Sequence, residues 1–435
     1  MVRAILLGIL VSAAAAAEPL TLEQALKLGL DRNPDLRKQV LLALSAEQDK
    51  VLARANVLPR IDFNASAGGT RQGAGTLIIQ GIAFPEPSST YSTGSASLTL
   101  RQLIFDGGKW WNNLESADLN LASNKAQVDE QRLQIIYLIE QRFYELVRAQ
   151  RQLQVLAEAA QRSRDQADFT QRLYDGGRAT QADVYAARAN RDNDEITRLG
   201  QERTVELARE DLAAAIGLDP SEPLTVAEPQ RLFDDPAQPP AAGEAVQRAI
   251  ANRPSLKAFA LTAEANRKAY SAAHGDYWPV VSLNGSWVRG TRDDFALLFR
   301  GPSRDSQASA TVNLSWNFFN GLATNANVRK AEIQVLLSEN DLATGRRSVA
   351  SDVEKAVAQL STARAQARVA TQTEQTAKEG LRLARTRQEV GVGTQLEVRD
   401  AELKLTQAQL TRVGSLVDGR EAEAALRRAQ GDSSI

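Results

Sequence analysis

Few residues in this sequence could do covalent or metal chemistry. The 435 residues include one His (His274), one Met and no Cys. Without Cys there is no thiolate nucleophile, disulfide framework, thiolate metal site or lipid-modified Cys anchor. A single imidazole makes neither a metal cluster nor a catalytic relay. His274 precedes Gly275 at an expected helix end, where an imidazole usually caps carbonyls or meets the helix dipole. No Walker loop, His-Glu-x-x-His or Gly-x-Ser-x-Gly run occurs, so an enzyme is the weakest reading, and no catalytic residue, metal or cofactor is expected. The triplets Asn64-Ala65-Ser66 and Asn284-Gly285-Ser286 look like glycosylation acceptors, but polar–apolar alternation produces them by itself. Glu397 and Asp400, with Asp183 as the matching acid earlier in the chain, read on their own as solvated helix-start charges favoured by the dipole. The 53 acidic and 52 basic residues leave a net charge of −1, which offers no field to hold nucleic acid.

The elements that carry these residues are written twice. Asn33-Pro34-Asp35-Leu36 recurs 220 residues later as Arg253-Pro254-Ser255-Leu256, and Leu58-Pro59 as Trp278-Pro279. Further on the offset is 214: Phe105-Asp106-Gly107 matches Phe319-Asn320-Gly321, and Thr180 to Val184 matches Thr394 to Val398. One loop is therefore six residues shorter in the second copy. This predicts residues 1–17 as a secretory signal, 18–217 as a first repeat, 218–243 as a linker with six prolines, and 244–431 as a second repeat. The signal has a charged Arg3, an apolar stretch from Ala4 to Val11 and small residues at Ala13 to Ala17.

Each repeat has the same expected order. Thr21 to Gln24 is a capping box, and Pro34 and Pro254 suit a first helical position. Strands follow, at about 60–105 and about 280–319. Ile61, Phe63, Ala65 and Ala67 oppose Asp62, Asn64, Ser66 and Gly68; Ala310, Val312, Leu314, Trp316 and Phe318 oppose Ser309, Thr311, Asn313, Ser315 and Asn317. That period of two marks strands with one apolar face. Asp106 and Asn320 are then expected to cap proline-free helices of roughly 65 residues, about 100 Å long. Glycine turns at Asp175-Gly176-Gly177 and Gly391-Val392-Gly393 precede returning helices of roughly 35 residues, giving hairpins over about 107–217 and 321–429. Two shorter helices could stack end to end beside each long one.

The long helices read as coiled coils. Ala356, Ala363, Ala370, Ala377 and Ala384 recur every seven residues, with Val353, Leu360, Ala367 and Leu381 three positions earlier and Glu374 the one polar entry. Ile139, Leu146, Leu153, Ala160 and Ala167 repeat the pattern in the first copy. A strict heptad keeps one seam on a partner helix. Four amphipathic strands cannot bury their apolar face alone. A membrane barrel needs at least about eight closed strands, so closure requires oligomerisation: two chains give eight, three give twelve. Trp287, Trp316, Phe318 and Phe319, expected near strand ends, would suit an interfacial aromatic belt. The loops Thr70 to Ser92 and Arg289 to Ser306 are expected to face outside. The competing reading is a periplasmic coiled-coil adaptor or structural protein without a pore.

Taken together, Leu22-Glu23-Gln24-Ala25-Leu26 leading to Asn33-Pro34, the Leu58-Pro59 helix end, Ile104-Phe105-Asp106-Gly107-Gly108 after a strand, and a glycine turn followed by Thr-x-x-acidic-Val resemble the TolC family of outer membrane efflux channels, from about Leu20 to Gly431. The resemblance implies a mainly α fold with a small membrane β-barrel. Its homotrimer would form a twelve-stranded barrel in outer membrane lipid and an α-helical periplasmic tunnel, with an equatorial belt from the linker and chain ends. It implies the exit duct of a tripartite efflux pump or type I secretion system, joined by a periplasmic adaptor to an inner membrane transporter. By the same resemblance Glu397 and Asp400, with Asp183, would line the pore entrance. Gly177, Thr180, Gln181, Gly391, Gly393, Thr394 and Gln395 would be adaptor-contact tips. Positions where some members carry Tyr and Arg, tying the entrance to the first hairpin, are Gln388 and Gly393 here.

Overall fold

The computed structural model describes residues 19–219, 224–229, 232–292 and 306–433. The expected signal segment and parts of the linker and of the loop before residue 306 lie outside the described residues. The helices are α1 (Leu22–Arg32), α2 (Pro34–Ala55), α3 (Lys109–Asp175), α4 (Gln181–Ile216), α5 (Ala242–Asn252), α6 (Pro254–His274), α7 (Ala323–Glu389) and α8 (Gln395–Gln430). The strands are β1 (Arg60–Gln72), β2 (Gly75–Ile79), β3 (Ile82–Glu86), β4 (Ser89–Phe105), β5 (Val280–Arg292) and β6 (Ser306–Ser315). None of the described helices is long and apolar enough to cross a membrane.

Contacts divide the chain into two units. The first holds residues 1–41, 125–257 and 343–435; the second holds 42–124 and 258–342.

In the second unit β1, β4, β5 and β6 form one antiparallel sheet in that order. The central pair β4–β5 joins the two repeats. Register keeps the faces apart: Asn64 opposes Ser97 and Ser66 opposes Ser95, whereas Phe63 opposes Leu98 and Leu283 opposes Val312. Hydroxyls bond across the polar face, Ser66 to Ser95 and Ser286 to Ser309, each at 2.8 Å. On the other face Ile61, Phe63, Val312 and Leu314 are exposed within the chain, at 63–68%. Among the described residues nothing covers them, as expected of a face that meets lipid.

Three expectations about the strands need correction. The segment from Thr70 to Ser92 is not a loop: β1 and β4 extend into it, and β2 and β3 form a hairpin between them. β6 ends at Ser315, so Trp316 and Phe318 are not strand residues. β4 reaches Phe105 because its last residues, past the end of β1, stay paired with β5, Phe105 against Val281 across a register shift, whereas β6 ends at Ser315, opposite Val280 where its one partner, β5, begins. The Trp316 indole instead donates to the Tyr277 carbonyl at 3.1 Å and packs on Phe318. Trp287 lies inside β5 rather than near its end.

Asp106 and Asn320 accept first-turn N–H groups, of Trp110 at 2.9 Å and Thr324 at 3.4 Å. They do so from three residues before α3 and α7, across a left-handed pair: Gly107-Gly108 in one copy, Gly321-Leu322 in the other. A Cβ on Gly107 would fall 2.6 Å from the Gly275 carbonyl oxygen, while one on Gly321 meets open space. Gly107→Ala is expected to cost about 2–3 kcal/mol from strain and clash together. Gly321→Ala should cost about 1 kcal/mol, the left-handed strain alone. Thermal unfolding of the two variants checks the difference, and equal losses would remove the role given to the Gly275 contact. Nearby, Ser116 and Ser123, one heptad apart on α3, donate to the α6 carbonyls of Ala265 and Ala258 at 2.9 and 3.0 Å. His274 ends α6 with its ring against Tyr270 and Tyr277.

In the first unit the alanine seam is buried where the heptads place it. Val353, Ala356, Leu360, Ala363, Ala367 and Ala370 are each at most 6% exposed, as are Ile139, Leu146, Ala160 and Ala167. Glu374 is half-buried and takes an ion pair from Arg412 of α8 at 2.9 Å.

The short helices meet end to end, by different means in the two copies. The Asn33 side chain accepts from Asp35 and Leu36 N–H at 2.9 and 3.2 Å, capping α2, and donates to Ala215 at the end of α4 at 3.5 Å. Arg253 holds the matching position before α6 and cannot accept. Glu130 of α3 replaces it: its carboxylate accepts Ser255 N–H at 3.2 Å and the Arg253 guanidinium at 2.7 and 3.0 Å. Arg253 also donates to the Arg428 carbonyl near the end of α8 at 2.5 Å.

The described residues of the linker pack against the helices. Leu20 and Val226 form a parallel bridge, Leu232 is buried with Phe143 and Ile139, and Arg420 donates to the Asp234 carbonyl at 3.1 Å.

Candidate functional site

Both hairpin turns of the first unit close in the same way. Gly177 (φ 71°) and Gly391 (φ 80°) take the left-handed conformation that ends a helix. Arg178 N–H donates to the Leu173 carbonyl at 2.7 Å, and Val392 and Gly393 N–H donate to that of Arg387 at 3.0 and 2.9 Å. A Cβ on Gly393 would lie 2.9 Å from the backbone nitrogen of Gln388. The second turn therefore excludes a side chain where some relatives were expected to carry Arg.

Thr180 and Thr394 are the N-caps of α4 and α8, accepting Asp183 and Glu397 N–H at 3.2 Å each. Asp183 completes a capping box: its carboxylate accepts the Thr180 N–H at 2.9 Å and hydroxyl at 2.7 Å. The Thr180 hydroxyl and N–H hold that carboxyl below its ordinary value. By linkage, what it adds to stability is present above its unfolded pKa, about 4, and is lost as the pH falls through the lower folded value. Glu397 makes no such return bond and faces Arg387 at 3.9 Å. Asp400, one turn on, pairs with Lys404 at 2.6 Å. Glu397 and Asp400 are both exposed on the isolated chain.

The structure sets Asp183 and Asp400 beside different clefts, and Glu397 beside neither of the two. Asp183 lines a cleft of about 160 Å³ with Gln166, Gln395 and Arg399, between α4 and α8. Asp400 instead borders a groove of about 860 Å³ between α7 and α8, with Lys404 and Thr373. Gln395, expected as a tip contact, donates to the buried Thr170 hydroxyl of α3 at 2.5 Å.

Residues that sequence reasoning passed over join the two hairpins. Arg399 of α8 makes a two-pronged ion pair with Asp194 of α4, at 2.7 and 2.8 Å. Arg162 of α3 donates to Thr406 of α8 at 3.0 Å, and burial lowers its pKa. Within the second hairpin, Arg385 of α7 pairs with Glu402 of α8 at 2.9 Å, and Glu402 is buried. The one signal for this set was Glu402 itself, a charge between Val398 and Leu405 at apolar seam spacing. Nothing local marks Asp194.

Comparison with known proteins agrees with this architecture. The chain is 25% identical over 359 residues to protein CyaE of Bordetella pertussis, covering 80% of this chain and 70% of that one. It is 23% identical over 400 residues to outer membrane protein TolC of Vibrio cholerae, covering 91% and 88%. The structure of outer membrane protein VceC from Vibrio cholerae superposes with a TM-score of 0.80 at 20% identity, over 94% of this chain and 96% of that one. The outer membrane efflux protein family profile matches residues 25–218 and 245–432, one match for each repeat. The chain belongs to the outer membrane efflux protein family, whose members are trimeric channels running from the outer membrane into the periplasm and working with periplasmic adaptors and inner membrane transporters.

Proposed function

We propose that three copies of this chain form a twelve-stranded barrel and a periplasmic tunnel, with Glu397 and Asp400 facing its entrance. The duct would pass cargo from an inner membrane transporter without acting on it chemically. The observation that carries this reading is the four-stranded sheet, which among the described residues leaves both edges, β1 and β6, unpaired and its apolar face uncovered. In lipid every edge must be closed, and a barrel of copies closes it. The adaptor alternative loses its ground with the family membership.

Glu397 supports the entrance role because its carboxylate is not consumed by the cap that holds Asp183. Three copies would bring six carboxylates together, a ring that favours cations. Asp183 fits a positioning role at the turn better than a pore role. The turns at Gly177, Thr180 and Gln181 and at Gly391, Gly393 and Thr394 are the surfaces offered to the adaptor, while the Gln395 side chain is taken up by Thr170.

The test is divalent-cation block of single channels in planar bilayers. Glu397→Ala with Asp400→Ala is expected to weaken block by about tenfold or more, equal to about 1.4 kcal/mol of lost cation binding. Block that persists at the wild-type level would sink the assignment of these two acids, and the same recordings establish whether the chain conducts at all.

A further inference from the structure

The β2–β3 hairpin is not used by the reading above. It joins β1 to β4 at the end of the sheet away from the helices, beyond the last register pair Gln72–Ser89. Its two-residue turn, Gln80-Gly81, has φ of 48° and 84°, the turn type that matches strand twist. Leu77 opposes Phe84 and Ile79 opposes Ile82 on one face; Ile78 opposes Ala83 on the other. Both faces are therefore apolar, and a two-stranded ribbon has no interior in which to bury either. Leu77, Ile78, Ile79, Ile82 and Phe84 are 47–69% exposed. Contiguous exposed apolar surface of this kind marks an interaction site.

The occupant follows from where the hairpin stands. It grows from β1, the free edge at which the next copy would join, so this inference rests on the barrel reading. Twelve strands about 4.8 Å apart and tilted about 40° enclose a radius of about 12 Å. The eight residue steps from Gln72 to Gln80 reach about 26 Å when extended. Three such hairpins on one rim are long enough to meet on the axis. Lipid is the poorer occupant: the exposed, polar Arg71-Gln72 and Glu86 lie between the hairpin's apolar residues and the lipid-facing band of β1 and β4. We propose that the β2–β3 hairpins of three copies pack against one another over the outer mouth, forming an apolar plug that closes the exit between transport events.

The absence of native Cys makes the test clean. Ile79→Cys, and separately Ile82→Cys, would be oxidised in intact outer membranes, with Gly73→Cys at the hairpin base as control. The expected result is a disulfide-linked dimer on non-reducing gels for the tip variants and none for the base. Ile79→Asn with Ile82→Asn should raise single-channel conductance by about threefold or more, since a hydrophobic constriction closes by expelling water. Trimers that conduct but give no tip cross-link, with a fluorophore on the thiol of the Ile79→Cys variant quenched by brominated lipid, would place the hairpin in the membrane and overturn the plug alone. Absence of any conducting trimer would overturn the barrel reading with it.

Discussion

Glu130→Ala is expected to destabilise the helical unit by about 3 kcal/mol, through loss of a buried charge partner and of a helix cap together. The Glu130 and Arg253 side chains are only 12% and 9% exposed, and the carboxylate makes three bonds, two to the guanidinium and one to Ser255 N–H. Its removal strands a buried cation and leaves the α6 start uncapped. Arg253 keeps one acceptor, the Arg428 carbonyl, which holds the loss at the lower end of the range for a broken buried pair. Helical signal during urea unfolding of the detergent-solubilised protein measures it. Glu130→Ala combined with Arg253→Met should recover part of the loss, because no unpaired charge then remains. A loss below about 1 kcal/mol for the single variant would mean the pair behaves as a surface pair.

Arg399→Ala is expected to open the periplasmic entrance. The Arg399–Asp194 pair joins α8 to α4 in a two-pronged geometry, with side chains 18% and 16% exposed. An intermediate burial puts its contribution at about 2 kcal/mol, above exposed pairs and below fully buried ones. If the pair is made only in the narrow state, losing it shifts the closed-to-open ratio by about 30-fold. Single-channel conductance reads that shift. Asp194→Ala should act alike, the double variant should add little, and the exchange Arg399→Asp with Asp194→Arg should restore the narrow state. Wild-type conductance from Arg399→Ala would show that this tie does not hold the entrance. Gly393 itself adds no side chain to such a tie, and the turn there has no room for one.

The seams show why much of the fold was legible. Periodicity is a property of neighbours along the chain, so the alanine heptads of α7 named buried positions directly: Val353, Ala356 and Leu360 are all inside. Strand alternation behaved the same way, and Phe63 and Leu98 do share a face. Local pattern failed where pairing decides. Alternation through Phe318 implied a longer β6, but an edge strand ends where its single partner ends. The Thr70 to Ser92 segment lacked clean alternation because both faces of the β2–β3 hairpin are apolar, which removes the period that would have announced it.

The candidate site divides along the same line. Thr-x-x-acidic spacing located both helix starts, because a cap is made within four residues. It could not separate Asp183, consumed by its capping box, from Glu397, which makes no return bond and faces Arg387 instead. The partners of Arg399 and Arg253 lie 205 and 123 residues away in the chain, beyond any local signal. The sequence by itself determined the duplicated unit, the helix and strand periods and the turns, since each depends on a few adjacent side chains. Tertiary structure alone decided that β4 pairs with β5 across the repeats, that β1 and β6 are left as edges, and that Asp194 and Glu130 hold distant helices. Those outcomes depend on which surfaces meet in space, and no spacing along the chain encodes that meeting.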